Sequence, residues 1–370
     1  MSSKLYEKVY GWLMGAAVGD AMGAPTENFH YKDIPEVFGK VQGFMDYRRG
    51  PIGGRPDYET YTFQWGKRRQ WEREEPHPWG AWRLKAGVYT DDLRARLLPL
   101  KSFLKRGRRF TGWEFAKDLI DFRIESQSHP AGDLRHEWAK SMWNLDEIVT
   151  MCLKGPLSHT VVVGGVWGAP MGIINACDPQ AASEDGGLVG GIIAEAMLPG
   201  ATVDTVIAAA MRHSRTFLNP DWEPLPTMGE AFNVRLERAL RDADRSADVY
   251  ELIARLYEWI CVATPPFSAM NQLEAVPAAL AMVYKAKGDI RQAVLGSANF
   301  GRDCDTIACV AGEICGTLNG IGSIPKEWVT VINTENPDPK LDGLAAEVSD
   351  LVASEAKRKR QIVDYLLGMA

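Results

Sequence analysis

Residues 299–328 read NFGRDCDTIACVAGEICGTLNGIGSIPKEW. In this segment a loop containing Gly301 leads into Asp303-Cys304-Asp305-Thr306, and residues 307–318 continue as a helical run rich in Ala, Gly and Cys. Small side chains allow two helices to approach each other closely. The segment therefore predicts closely packed helices and a polar cluster at a point where a loop becomes a helix.

Helical periodicity extends over most of the chain. The predicted helices cover residues 5–22, 93–104, 113–122, 134–151, 188–197, 203–213, 228–241, 247–261, 275–287, 290–300, 307–318 and 345–367. Residues 160–163 are the one β-branched run, which is too short to found a sheet. Since the sequence has no fixed-period repeat and no Ser/Gly linker, we predict an all-α fold with one domain over residues 1–370.

Residues 28–85 differ from the rest because they combine many Gly, Pro and Arg residues with four tryptophans, Trp65, Trp71, Trp79 and Trp82. A long stretch of this kind predicts a loop insertion that forms a lid over an active-site cleft. The tryptophans would either stack on a sugar or base, or bury the loop against the helical body. The sequence leaves both interpretations open.

Composition excludes several classes of partner. With 42 basic and 48 acidic residues the net charge is −6, and no basic face predicts nucleic-acid binding. The first residues resemble neither a signal peptide nor a membrane span, so we expect a cytoplasmic protein without a membrane partner. The six cysteines include no CxxC pair and predict reduced core thiols. Nothing in the sequence indicates the oligomeric state.

Two short clusters combine adjacent carboxylates with a threonine hydroxyl, Thr90-Asp91-Asp92 and Asp303-Cys304-Asp305-Thr306. Each lies at a predicted loop-to-helix junction, where a single Asp or Thr often caps the helix. Capping needs one oxygen, however, and paired carboxylates repel each other when they are buried without a cation. Oxygen ligands suit hard ions such as Mg²⁺, Mn²⁺ or Ca²⁺, bound singly or as a pair.

Three segments resemble the signature segments of the ADP-ribosylglycohydrolase family, of the dinitrogenase reductase-activating glycohydrolase type: GWLMGAAVGDAMGAPTE at residues 11–27, YTDD at 89–92, and residues 299–328. Residues 274–301 resemble the family's approach to the last of these. The resemblance implies an orthogonal helical bundle with a binuclear site, usually of Mg²⁺, at the base of a cleft. It implies that Asp20 supports a loop through hydrogen bonds. The resemblance implies six metal ligands, which are Thr90, Asp91, Asp92, Asp303, Asp305 and Thr306. The catalytic residues it implies are Glu27, Asp303 and Asp305. The substrate-binding residues it implies are Glu27, Gly165, Trp167 and Gly168.

The implied activity is a metal-dependent glycohydrolase in which a metal-activated water cleaves an N- or O-glycosidic bond to ADP-ribose or a related ribosyl unit. The chain is a divergent member, because Leu93-Arg94 follow Asp92 where many members continue with threonine, and Trp167 and Gly172 occupy positions where an Asn and an Arg are expected. One alternative is therefore a hydrolase of a small nucleoside-like or other glycoside on the same scaffold. Another is a relative that binds metal and ligand without turnover.

Overall fold

The structure is a computed structural model that describes residues 3–27, 29–46, 85–127, 168–214, 227–260 and 272–369. Helices dominate these ranges. They are α1 (Lys4–Gly23), α2 (Ile34–Phe38), α3 (Asp91–Arg106), α4 (Gly112–Gln127), α5 (Ala169–Ile174), α6 (Pro179–Met197), α7 (Val203–His213), α8 (Thr227–Arg245), α9 (Val249–Tyr257), α10 (Gln272–Lys285), α11 (Ile290–Ala298), α12 (Cys304–Asn319), α13 (Lys326–Glu335) and α14 (Leu341–Met369). Within the described ranges the one β pairing is an isolated bridge between His30 and Gly301, so the all-α prediction is confirmed.

Helices α1 and α12 form the centre of the fold and run side by side with almost no side chain between them. Gly11, Gly15 and Gly19 of α1 follow one another at four-residue spacing, which places them on one face of the helix. A Cβ atom on any of the three would overlap a backbone carbonyl oxygen of α12, that of Gly316, Gly312 or Ala308 respectively. The two backbones are therefore in direct contact, and the register of one helix against the other is fixed.

The apolar core surrounds this helix pair. Trp12, Leu13 and Met14 of α1 and Ile307 and Val310 of α12 are fully buried. Buried residues of most other helices join the same cluster, and Cys304, Cys309 and Cys315 lie in it as free thiols. The prediction of core thiols is wrong for Cys177, which is exposed, and Cys152 and Cys261 lie outside the described residues. Among the described residues, no helix is both long enough and apolar enough to cross a bilayer.

Helix boundaries depart from the sequence prediction in several places. The predicted loop 28–85 contains α2 at Ile34–Phe38, and α13 at Lys326–Glu335 was not predicted. The segment labelled α6 consists of two helical stretches that meet at Gly187, whose φ of 67° and ψ of −158° are not helical. The second stretch begins at Leu188, as the sequence predicts, whereas the first, from Pro179, was not predicted. Residues 28 and 47–84 of the predicted lid, which include all four of its tryptophans, and the predicted helix 134–151 lie outside the described residues.

Candidate metal centre

The first acidic cluster is held in place by Asp20, a fully buried residue of α1. Its Oδ1 accepts the Thr90 hydroxyl at 2.7 Å, and its Oδ2 accepts the Leu93 backbone N–H at 3.0 Å. The Thr90 backbone N–H also donates to this carboxylate, at 2.9 Å to Oδ2. Asp20 thus satisfies N–H groups that the start of α3 leaves without helical partners. This is the supporting role predicted for Asp20.

The second acidic cluster opens α12. Asp303 is the residue before the helix, and Asp305 and Thr306 lie in its first turn. Neither Asp303 nor Thr90, which occupies the same position before α3, caps its helix through its side chain. The capping interpretation of the two clusters is therefore wrong for these two residues.

Glu27 lies beside the second cluster because hydrogen bonds join the segment that precedes it, residues 23–26, to residues 298 and 304. The 3₁₀ turn Ala24–Thr26 ends at Glu27, and the Thr26 hydroxyl donates to the carbonyl of Ala298 at 2.6 Å. The Cys304 thiol donates to the carbonyl of Gly23 at 3.2 Å. Burial raises the pKa of this thiol and so disfavours the thiolate that a nucleophile requires.

The arginine before Asp303 fixes the turn that leads into α12. Arg302 adopts the left-handed conformation, with φ of 60°, and its backbone N–H donates to the carbonyl of Phe29 at 2.8 Å. Its guanidinium forms a two-point contact with the buried carboxylate of Glu274 on α10, with 2.7 Å between Arg302 Nη2 and Glu274 Oε2. This paired contact holds Arg302 in a backbone conformation that L-residues seldom adopt.

Helices α1, α3 and α12 bring the carboxylates together in two overlapping groups. In one group, carboxylate oxygens of Glu27, Asp303 and Asp305 lie within 4.8 Å of one another. In the other, oxygens of Asp91, Asp92 and Asp305 lie within the same distance. Asp305 belongs to both groups, so its side chain lies between two positions that can each bind a cation.

Burial and mutual repulsion raise the pKa of Asp91, Asp303 and Asp305 well above the usual value for an aspartate. Desolvation is the larger cause in each case, and neighbouring carboxylates such as Asp92 and Glu27 add to it. A cation removes both penalties, because it offsets the charge that burial disfavours. The cluster therefore has the donor chemistry of a hard-metal site, because its candidate ligand atoms are all oxygens.

The two threonines present their oxygen atoms in the same way. The Thr90 hydroxyl donates its proton to Asp20, and the Thr306 hydroxyl donates to Asp92 Oδ2 at 3.0 Å. A hydroxyl that has committed its one proton keeps its lone pairs as acceptors. Both hydroxyl oxygens can thus act as neutral ligands beside the carboxylates.

Comparison with known proteins places this cluster in a family. A sequence profile described as ADP-ribosylglycohydrolase matches residues 1–360, which is nearly the whole chain and includes every carboxylate of the cluster. The chain belongs to the ADP-ribosylglycohydrolase family. The family indicates a glycosyl hydrolase, and the structure has the all-α fold that the resemblance implied.

Two relatives of this chain are described as uncharacterized proteins. The uncharacterized protein YegU of Escherichia coli (strain K12) is 25% identical over 344 residues, covering 86% of this chain and 89% of its own. An uncharacterized protein of Archaeoglobus fulgidus is 24% identical over 335 residues, covering 87% and 90%. A solved structure described as an ADP-ribosylglycohydrolase-related protein complex aligns with 94% of this chain and 99% of its own at 18% identity and a TM-score of 0.44.

The residues predicted to bind substrate are only partly described. Gly165 and Trp167 lie outside the described residues. Gly168 is buried at the start of α5, where a Cβ atom would overlap the carbonyl oxygen of Gly186 in α6, so its visible role is helix packing. Gly172 packs in the same way against Gly190 and Ile193.

Sequence reasoning missed a buried ion pair behind the first cluster. Arg96 of α3 and Glu313 of α12 are both fully buried, and Arg96 also contacts Asp92. The contact between Arg96 and Asp92 could have been predicted from the sequence, because the two residues are four apart and residues i and i+4 share a helix face. The partner Glu313 could be found only from the tertiary structure.

Replacing Asp20 by asparagine tests how the first cluster is held. The amide would keep its one oxygen toward the N–H groups of Thr90 and Leu93 and turn its NH₂ toward the Thr90 hydroxyl. That hydroxyl would then accept a proton where it now donates one, and it would lose a lone pair that a metal ligand needs. We expect the affinity for Mg²⁺ to fall by roughly 10- to 100-fold, the usual loss when an outer partner of a metal ligand is removed. Isothermal titration calorimetry measures it, and an unchanged affinity would contradict this role.

Proposed function

We propose that the chain is a Mg²⁺-dependent glycohydrolase that hydrolyses an N- or O-glycosidic bond to ADP-ribose or a related ribosyl unit. The supporting observation is the pair of carboxylate groups that share Asp305. Membership of the ADP-ribosylglycohydrolase family supports the reaction class. Mg²⁺ suits the donor set because all candidate ligands are hard oxygen atoms, with Mn²⁺ and Ca²⁺ as the competing ions.

The ligands we propose come from both clusters. They are Thr90, Asp91, Asp92, Asp303, Asp305 and Thr306. Asp305 would serve two ions, one in each group, in the manner of sites that hold paired metals roughly 3.5–4 Å apart. When bound, Mg²⁺ supplies Lewis acidity toward the ribose hydroxyls and the attacking water.

Glu27 is the carboxylate we propose as proton acceptor. Among the members of its group it is partly exposed, whereas Asp303 and Asp305 are buried. Asp303 and Asp305 would be engaged as ligands and would be weak bases, so the accessible Glu27 is the better acceptor. As C1 of the ribose loses its bond to the leaving group, the water oxygen bonds to C1 and Glu27 takes the water proton. The leaving group departs with a proton from solvent or from Glu27.

A second candidate is hydrolysis of a small glycoside that has no diphosphate. The observation that favours it is the packing of Leu93 and Gly172, both buried among core atoms where a hydroxyl and an arginine would otherwise be expected. A pocket without these polar groups would hold a diphosphate less firmly. The substrate panel below separates the two candidates.

The first test measures ADP-ribose release from ADP-ribosyl-arginine with Mg²⁺ and with EDTA, beside a panel of simple ribosides and other glycosides. We expect release with Mg²⁺ and at least about a 100-fold loss with EDTA, because metal ions in such sites supply several kcal/mol of transition-state stabilisation. Mg²⁺ should also raise the melting temperature, since it binds the folded carboxylate cluster and not the unfolded chain.

Variants at two aspartates complete this test. Asp303→Asn should lose turnover, whereas Asp289→Asn should keep it, because Asp289 caps α11 through a side-chain oxygen that asparagine also offers. Turnover of another glycoside with no release of ADP-ribose would favour the second candidate. Mg²⁺ binding without any turnover would contradict the enzyme proposal and leave a binding protein.

A further inference from the structure

The buried Arg96–Glu313 pair lies directly behind a proposed metal ligand. Arg96 Nε donates to Glu313 Oε2 at 3.2 Å, and Arg96 Nη1 donates to Asp92 Oδ1 at 3.0 Å and to the Asp92 carbonyl at 2.6 Å. The side chains of Arg96 and Glu313 have no exposed surface. One guanidinium thus joins the first acidic cluster on α3 to the interior of α12.

This ion pair is a poor source of stability. In the described part of the structure, Arg96 Nη2 is buried without a hydrogen-bond partner. Burying two charges is expensive, and incomplete hydrogen bonding adds to the expense, so an apolar pair of similar volume is often equally or more stable. The arginine does, however, donate a hydrogen bond to the Asp92 carboxylate, which an apolar residue could not do.

That contact makes the two oxygens of Asp92 unequal. Oδ1 faces a permanently charged guanidinium, and a second cation on the same oxygen would be repelled by it. Oδ2 faces the neutral hydroxyl of Thr306, whose lone pairs remain available to the same ion. A metal ion at Asp92 is therefore directed to Oδ2 and away from Oδ1.

We propose that Arg96 is a positioning residue that restricts Asp92 to a one-oxygen contact with the bound ion and thereby favours Mg²⁺ over Ca²⁺. The inference rests on the proposed function, since it concerns the ion in that same site. Mg²⁺ requires near-octahedral geometry with few protein oxygens, whereas Ca²⁺ takes six to eight oxygens and readily accepts both oxygens of one carboxylate. Blocking Oδ1 removes a binding mode that Ca²⁺ uses and Mg²⁺ does not need.

The test measures dissociation constants for Mg²⁺ and for Ca²⁺ by isothermal titration calorimetry on the full chain, without substrate. The main variant is Arg96→Met with Glu313→Met, which removes both buried charges together and so leaves neither unpaired. The control is Glu313→Gln, which removes the charge of the partner and keeps Arg96 against Asp92. Near-ultraviolet circular dichroism reports whether each variant retains its packing.

For the wild-type chain we expect Mg²⁺ to bind at least about 10-fold more tightly than Ca²⁺, and in the double variant we expect this ratio to fall by about 10-fold or more. Glu313→Gln should keep the wild-type ratio. If Arg96 had a purely structural role, the double variant would bind Mg²⁺ and Ca²⁺ more weakly by the same factor. An unchanged ratio of the two dissociation constants in a folded double variant would therefore overturn the inference.

Two outcomes separate this inference from the proposed function. Equal affinity of the wild-type chain for the two ions would overturn the role of Arg96 even if the double variant does not fold, and would leave the metal-dependent reaction intact. Absence of binding of either ion to the wild-type chain would overturn the proposed metal site, and the selectivity with it.

Discussion

Asparagine in place of Asp305 is expected to lower the affinity of the chain for Mg²⁺ by at least about 100-fold and to abolish glycoside hydrolysis, because removing an outer partner alone often costs 10- to 100-fold. Asp305 is the member common to both carboxylate groups, so one substitution damages both cation positions. Its neighbours Asp303 and Asp92 repel it when no ion is present. The metal-free variant should therefore melt at a temperature no lower than that of the metal-free wild type.

The matched control for this substitution is Asp248→Asn. Asp248 precedes α9 and accepts the backbone N–H groups of Tyr250 and Glu251 through Oδ1, a role that asparagine fills equally well. Titration calorimetry and melting curves with and without Mg²⁺ should match the wild type for this control. An Asp305→Asn variant that still gains stability from Mg²⁺ would mean that the ion binds elsewhere.

Alanine in place of Gly15 is expected to lower the free energy of unfolding by about 3 kcal/mol, the upper end of the usual cost of overpacking and large for the addition of one methyl group. The new Cβ would overlap the carbonyl oxygen of Gly312, and backbone atoms cannot turn aside as a flexible side chain can. The only relief is a wider separation of α1 and α12. Since α1 carries Asp20 and leads to Glu27, and α12 begins with the second acidic cluster, Mg²⁺ affinity should fall in parallel.

Gly343→Ala provides the comparison. Gly343 is exposed in α14, and a Cβ atom there would meet nothing within 4 Å. The same substitution should then stabilise the chain by up to about 1 kcal/mol, the difference in helix propensity. Urea denaturation measures the free energy of unfolding of both variants. Similar values for the two would show that the backbones of α1 and α12 are further apart than in the structure.

Local signals account for what could be predicted from the sequence. The junction before Asp91 could be predicted because a glycine, a threonine and adjacent carboxylates precede a helical run. Helix α7 could be predicted with both of its ends, Val203 and His213, because a capping threonine precedes an amphipathic repeat. Where hydrophobic periodicity and capping agree, the local sequence carries enough information.

Features that depend on tertiary contacts could not be predicted in this way. The role of Glu313 depends on Arg96, which lies more than 200 residues away in the sequence. The metal ligands themselves were proposed from a family resemblance, because spacing alone does not bring residues 91 and 305 together.

The direct contact between α1 and α12 also has a consequence for how the chain folds. Gly15 and Gly312 are about 300 residues apart, so their contact closes one of the longest loops the chain can form, and contacts of this range slow folding. At ribosomal rates of roughly 5–20 residues per second, α1 would wait for tens of seconds before α12 emerges. We therefore expect the acidic cluster to form late, after most of the chain has been made.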